Sequence, residues 1–169
     1  MSARDIPTRA LSIVQPWAHA IVHLGKTIEN RDWRGCSFRG EILIHASKGV
    51  GSKSHFAMAC AMVLDALAPD LPPEATRDVG CLRGGIVGRA RIVGQVDNAR
   101  CSERWRARIG ATTFAETRDL TTDERRWWTG GFALVLADVE PVPFVACKGA
   151  LGLWTVPPDA RAAIARGGQ

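Results

Sequence analysis

The sequence predicts an α+β fold dominated by one sheet or a small barrel. Strand-like apolar runs are several and separated, while helical stretches are few. The two kinds do not alternate in a regular βαβαβ order, and no G-x-G-x-x-G or P-loop occurs, which disfavours nucleotide-cofactor folds. A chain of 169 residues without internal repeats suits one domain able to bury a real core. One domain is therefore expected over 1–169, with its core at about 9–156 and a polar insertion at about 98–130.

Taken in order, "RALSIV" (Arg9 to Val14) reads as a strand. Pro16 then stands where a helix can begin, because the N–H that proline lacks is not needed there. "PWAHAIVHL" gives about two helical turns, and Gly25 fits as their C-cap. "KTIENRDW" alternates like a strand, with Thr27, Glu29, Arg31 and Trp33 facing one way and Ile28 and Asn30 the other. "GEILIHA" (Gly40 to Ala46) is a compact buried strand. Ser52 to Leu67 forms a longer helix, with Ala57, Cys60, Ala61 and Leu64 along one face. "APDLPPEA" (Ala68 to Ala75) is a loop, since its prolines break any regular element. "GGIVGRARIVGQV" (Gly84 to Val96) is a long strand, bent or bulged at Gly88 and Gly94.

Asn98 to Gly130 is polar, arginine-rich and long for a connection, so it reads as a functional insertion or as a carrier of short helices. "TTDE" (Thr121 to Glu124) is a capping box opening one of these. "FALVLADVEPVPF" (Phe132 to Phe144) is a strong strand ended by its prolines. "KGALGLW" turns into a last apolar contact at Trp154, and Pro158 to Arg166 is a terminal helix.

Composition narrows the function classes. The net charge is +5 and the isoelectric point is near 9.3. Arginine far outnumbers lysine, and its planar donor fork suits phosphate and base edges. Polyanionic partners are favoured by such a balance. The five cysteines, at 36, 60, 81, 101 and 147, are odd in number and include no CxxC, against both a disulfide framework and a zinc ribbon. The first residues lack the apolar run of a signal peptide, and no stretch approaches the ~20 apolar residues of a membrane span. A cytoplasmic protein with reduced thiols and no membrane contact is the expectation.

Chemistry concentrates in few places. Lys26, Glu29, Arg31 and Asp32 crowd a short segment between apolar runs. They form either a solvated strand edge or the floor of a cleft, where Arg31 orients Glu29 and Lys26 meets an anionic or polar ligand. A partly buried carboxylate beside two cations stays ionised and can accept from a base amino group. Gln15 leaves a strand with an amide that both donates and accepts, as base reading requires. Trp17 either stacks on a base or fills the core. In "IHASKG", the turn at Ser47 and Lys48 either binds phosphate through backbone N–H groups or is an ordinary loop. His19 and His23 have the spacing of metal ligands, but no HExxH occurs and only His45 or Cys36 could be added, so no metal or cofactor is expected. "RCSERWRAR" and "ERRWW" interleave cations with aromatics, as single-strand platforms do. The other reading there is a solvated helix with its tryptophans in the core. For Trp127 and Trp128, one in and one out is expected.

The segment Gly25-Lys26-Thr27-Ile28-Glu29-Asn30-Arg31 resembles the signature of the ASCH family, relatives of the PUA-like RNA-binding barrels. "LSIVQPWA" before it, "GEILIHASK" after it and "WWTGGFALVLADVEPVPFVACKGALGLW" are similar to the family as well. The resemblance implies a PUA-like small β-barrel of five or six strands with surrounding helices. It implies a cleft lined by the Lys–Glu–Arg strand, with Gln15 and the Ser47–Lys48 turn nearby. It also implies binding of RNA, another nucleic acid or a nucleotide. Some small members are amidohydrolases acting on N4-acetylcytidine, and ribonuclease activity is attributed to others. Lys26 matches the lysine of the amidohydrolase branch, whereas Glu29 stands where that branch has its threonine.

Three readings follow. In the first, a basic-rimmed cleft binds RNA or a modified nucleotide: Gln15 and Glu29 contact the base, Trp17 stacks, and Lys26, Arg31, Ser47 and Lys48 hold phosphate or orient Glu29. In the second, a hydrolase acts on a modified nucleoside or on RNA, with Lys26 as base or oxyanion partner and Glu29 as general acid/base. In the third, the tryptophan-rich insertion docks a protein. The oligomeric state is left open.

Overall fold

A computed structural model of the chain describes residues 6–32, 36–67, 82–97, 104–108 and 114–167. In chain order the elements are β1 (Arg9–Ile13), α1 (Trp17–His23), β2 (Ile28–Arg31), β3 (Gly40–Ala46), α2 (Lys53–Leu67), β4 (Gly85–Asp97), β5 (Arg104–Arg108), β6 (Phe114–Asp119), α3 (Thr122–Trp127), β7 (Phe132–Ala146), β8 (Leu153–Thr155) and α4 (Pro158–Ala165). This is the α+β class that the sequence predicts. The six strands β1, β2, β3, β4, β7 and β8 meet the expected five or six, and β5 and β6 are added by the insertion. No helix among the described residues is long and apolar enough to cross a membrane.

The chain groups into two compact units. One comprises Met1–Gly25, Ile42–Arg89 and Glu140–Gln169, the other Lys26–Glu41 and Ala90–Val139. In the first unit the strands follow the order β7, β4, β3, β1, β8. β1 runs parallel to β3, from Ala10 opposite Leu43 to Ile13 opposite Ala46, and antiparallel to β8. Its core joins Ala10, Leu43, Ile86, Val145 and Trp154 to Ala160 and Ile164 of α4. The spacing of four residues puts Ala160 and Ile164 on one helix face, and burying an isoleucine side chain contributes roughly 1.5–3 kcal/mol. In the second unit the order is β2, β7, β4, β5, β6. Phe132 to Leu136 of β7 are buried in succession before the pattern turns to alternation, the signature of a strand covered on both faces.

Local signals held at both ends of α1. Pro16 is its N-cap and Leu24 its C-cap, with Gly25 left-handed at φ +71° beyond. At α3 the capping box forms as expected: Thr121 Oγ1 accepts from the Glu124 N–H, and Glu124 Oε2 accepts from the Thr121 N–H.

Three expectations give way. The prolines do not end β7, which runs through Pro141 and Pro143 to Ala146. A strand tolerates proline wherever the ladder needs no N–H, and the register of β2 on β7 stops at Val135. The insertion supplies a strand pair as well as a short helix: β5 pairs with β6 from Arg104 opposite Asp119 to Arg108 opposite Phe114. On α2 the buried positions are Ala59 and Val63, whereas Leu64 is exposed. The helix is turned by about one residue from the expected face, and Phe56, Val63 and Leu64 line an open groove with Pro16. Gly88 serves close packing, because a Cβ there would lie 2.6 Å from Val22 of α1 and 3.0 Å from the Glu140 carbonyl oxygen. The expected loop at Ala68 to Ala75, Trp33, and the cysteines at 81 and 101 lie outside the described residues.

Gly88 therefore sets how closely α1 can approach β4. Gly88→Ala is expected to lower unfolding free energy by about 1–3 kcal/mol, the usual cost of overpacking. Urea denaturation reads this as a lower midpoint at unchanged slope.

Candidate functional site

Gly25 turns the chain out of α1, and Lys26 follows at the entry to β2. The strand is held by antiparallel pairing to β7, with Ile28 opposite Val135, Glu29 opposite Leu134 and Arg31 opposite Phe132. The Thr27 carbonyl oxygen extends the ladder by accepting from the Leu136 N–H at 2.8 Å. This backbone brings three charges together. Lys26 Nζ donates to Glu29 Oε2 at 2.7 Å and to the Ile28 carbonyl oxygen. Arg31 Nη2 lies 3.2 Å from Glu29 Oε1. Each carboxylate oxygen thus faces one cation.

Burial makes this set consequential. Lys26 has no exposed surface and Glu29 retains 4%, while the Arg31 side chain keeps 17%. Burial pulls the lysine's proton affinity below its ordinary value. The Glu29 carboxylate opposes that shift through its charge and its hydrogen bond, and Arg31 adds to it. An ammonium without solvent needs a counter-charge and acceptors, and here it has both.

Asn30, placed on the opposite face of β2, has a positioning role that the sequence reading missed. Its Nδ2 donates to the Trp127 carbonyl oxygen at 2.8 Å, and its Oδ1 accepts from the Thr129 N–H at 3.0 Å. The amide bridges two backbone groups of the segment between α3 and β7, which fixes that segment against β2. An amide residue directed inward from a short strand was the only signal available. Of the two neighbouring tryptophans, Trp127 is buried and Trp128 half-buried.

The remaining expected site residues belong to the first unit. Gln15 is buried, and its amide has internal partners: Nε2 donates to the Leu82 carbonyl oxygen at 2.9 Å and Oε1 accepts from the His19 N–H at 3.0 Å. Trp17 is buried as well, and its indole N–H donates to His55 Nε2 at 3.1 Å. The structure places Trp17 in the core, the alternative to base stacking. Ser47 follows β3, with its N–H on the Ile13 carbonyl oxygen at 2.8 Å, and Lys48 is exposed beside it. The His19 and His23 rings lie 4.7 Å apart between centroids, tilted by 43°. Among the described residues no three His, Cys, Asp or Glu side chains gather as a metal cluster.

His45, just before that turn, is buried. Its Nε2 lies 3.1 Å from the Cys147 carbonyl oxygen, which can only accept, so Nε2 carries the proton of the neutral ring. Burial lowers its proton affinity, partly offset by that hydrogen bond. Gly149 presses against the ring, since a Cβ there would come 2.4 Å from His45 Cε1 and 2.7 Å from Ser12 Oγ.

A mixed α+β sheet protein with a lysine, glutamate and arginine locked on a short strand behind a helix-ending glycine is the class these features define. The chain belongs to the ASCH domain family, whose family model matches residues 11–140. It is also similar to a solved structure described as the crystal structure of ASCH from Zymomonas mobilis, at 15% identity and a TM-score of 0.45, covering 94% of this chain and 93% of that one. No curated protein matches the chain.

Glu29 is the shared acceptor of the set. Glu29→Gln is expected to cost about 3–5 kcal/mol of stability, because it leaves a buried ammonium without its counter-charge. Lys26→Met, which removes that ammonium and keeps Arg31 with Glu29, is expected to cost less; equal losses in urea denaturation would contradict the assignment.

The His45 ring gives a pH signature. Its folded proton affinity lies below the unfolded value of 6.5, so the unfolded chain binds the proton more readily. The stability that the neutral ring supplies is present above that pH and is lost as pH falls through the folded value. Wild type is expected to lose stability between neutral and mildly acidic pH more steeply than His45→Asn, measured as the pH dependence of the urea midpoint.

Proposed function

We propose that the chain binds RNA, or a modified nucleotide, at the Lys26–Glu29–Arg31 strand. The observation that carries this reading is the convergence of two cations on one buried carboxylate, with Arg31 as the member that keeps solvent access. Each Glu29 oxygen retains a further lone pair beside its cation contact. A base amino group can donate there, while the Arg31 fork can meet a base carbonyl or a phosphate. Two cations against one carboxylate leave the site positive, which suits an anionic partner. Membership of a family whose PUA-like fold is often linked to RNA binding supports the same reading, and so does the net charge of +5. Within the other unit, Gln15 would act by fixing the start of α1. The cytoplasm, where such partners reside, is the compartment that fits.

A second reading has one specific observation behind it. Burial lowers the proton affinity of Lys26, as a general base or oxyanion partner in hydrolysis of an N4-acetylcytidine-type nucleoside requires. Against it stands the closure of Lys26 Nζ onto Glu29 and the Ile28 carbonyl oxygen.

Fluorescence anisotropy with labelled single-stranded RNA and a panel of nucleosides separates the two. Affinity is expected to fall steeply with added salt, as counterion release dictates, and to fall again in Arg31→Ala. Absence of binding at low salt, or indifference to salt, sinks the binding reading. Turnover of N4-acetylcytidine that disappears in Lys26→Ala and in Glu29→Ala would establish the second instead.

A further inference from the structure

Three loops of the first unit meet at Gly84. Its N–H donates to the Ala46 carbonyl oxygen at 2.7 Å, and its own carbonyl oxygen accepts from the Cys147 N–H at 3.1 Å. A Cβ on it would lie 3.9 Å from Lys48 Cβ, and its φ of +73° is the left-handed backbone that glycine adopts freely. The end of β3, the start of β4 and the end of β7 are thereby tied at one place. The Ser47 N–H on the Ile13 carbonyl oxygen adds the end of β1, and the Gln15 amide on Leu82 holds the approach to Gly84 from the other side.

Each loop delivers an exposed cation: Lys48 after β3, Arg83 before β4 and Lys148 after β7. They stand far apart in the chain, and all lie within one residue of Gly84 or of a group that touches it. Neither Lys48 nor Lys148 has an ion pair or hydrogen bond to a described residue. Asp159 lies close enough to Cys147 to act on it electrostatically. Two large apolar side chains flank them in the open: Leu82 is 53% exposed and Leu151 is 97% exposed.

We propose that this end of the first unit tracks the phosphodiester backbone of single-stranded nucleic acid, with Lys48, Arg83 and Lys148 at the phosphates and Leu82 and Leu151 against unstacked bases. The proposal rests on the nucleic-acid reading above and adds a surface that the Lys26–Glu29–Arg31 strand does not include. Lysines without a partner among the described residues match a polyanion, and each phosphate neutralised releases counterions. The exposed leucines favour a single strand, whose splayed bases offer apolar faces, over a duplex that keeps its bases stacked.

The test measures anisotropy of a labelled single-stranded RNA against salt concentration for wild type, Lys48→Ala, Lys148→Ala and the double variant. Each lost contact is expected to weaken binding several-fold at low salt and to flatten the slope of log affinity against log salt by about 0.7. Lys48→Arg and Lys148→Arg are expected to keep the slope. Arg9→Ala, at the far end of β1 from Ile13 and about 13 Å away, is expected to leave both quantities unchanged. If wild type binds and the alanine variants match it in affinity and slope, this surface is refuted while the strand site stands. If wild type binds no RNA at low salt, both readings fall. An equal effect of the two substitutions on binding to anionic lipid vesicles or to an acidic peptide, with RNA binding untouched, assigns the surface to another partner and overturns the proposal.

Discussion

An ammonium group sealed from water constrains everything around it. Lys26 Nζ must find a counter-charge and hydrogen-bond acceptors within the protein, since desolvation without them is costly. Glu29 supplies the charge and one acceptor, and the Ile28 carbonyl oxygen supplies another. Two further features follow from that demand. The turn at Gly25 has to place Lys26 so that its side chain folds back along its own strand. Arg31 then occupies the second carboxylate oxygen. The second unit is organised about this closed set: β2 takes its register from β7, and Asn30 ties the segment after α3 to its other face.

The same closure shapes what the site can do. Lysine and carboxylate are mutually satisfied, so on the binding proposal a ligand would enter through the arginine and the open lone pairs of Glu29 rather than through a bare amine. That arrangement suits recognition by hydrogen bonding and charge. For proton transfer the lysine would first have to leave its carbonyl and carboxylate partners, which adds to the barrier. The site therefore reads more directly as a place of binding, and the lysine as the group that holds the carboxylate in aim.

Much of the architecture was legible along the chain because its signals are local. Proline before α1, glycine after it, and Thr121 with Glu124 at α3 act within one helical turn, and the structure has each where the pattern put it. β3 shows itself as a compact apolar run. Other elements misled for physical reasons. Pro141 and Pro143 look like stops, yet β7 continues because a strand needs its N–H groups only where a neighbour pairs. The arginine-rich insertion has no apolar period to distinguish strand from helix, and pairing between β5 and β6 decided it. On α2 small and apolar residues lie on several sides, so the buried stripe was set by what packs against it.

The sequence by itself determined the α+β class, the ends of the short helices, the family and the grouping of Lys26, Glu29 and Arg31, because these depend on residues within a few positions of one another. Tertiary structure alone decided that Lys26 is sealed, that Trp17 and the Gln15 amide have internal partners, and that Lys48, Arg83 and Lys148 gather about Gly84. Those outcomes depend on contacts between segments tens of residues apart, and burial is a property of the surroundings that no side chain carries with it.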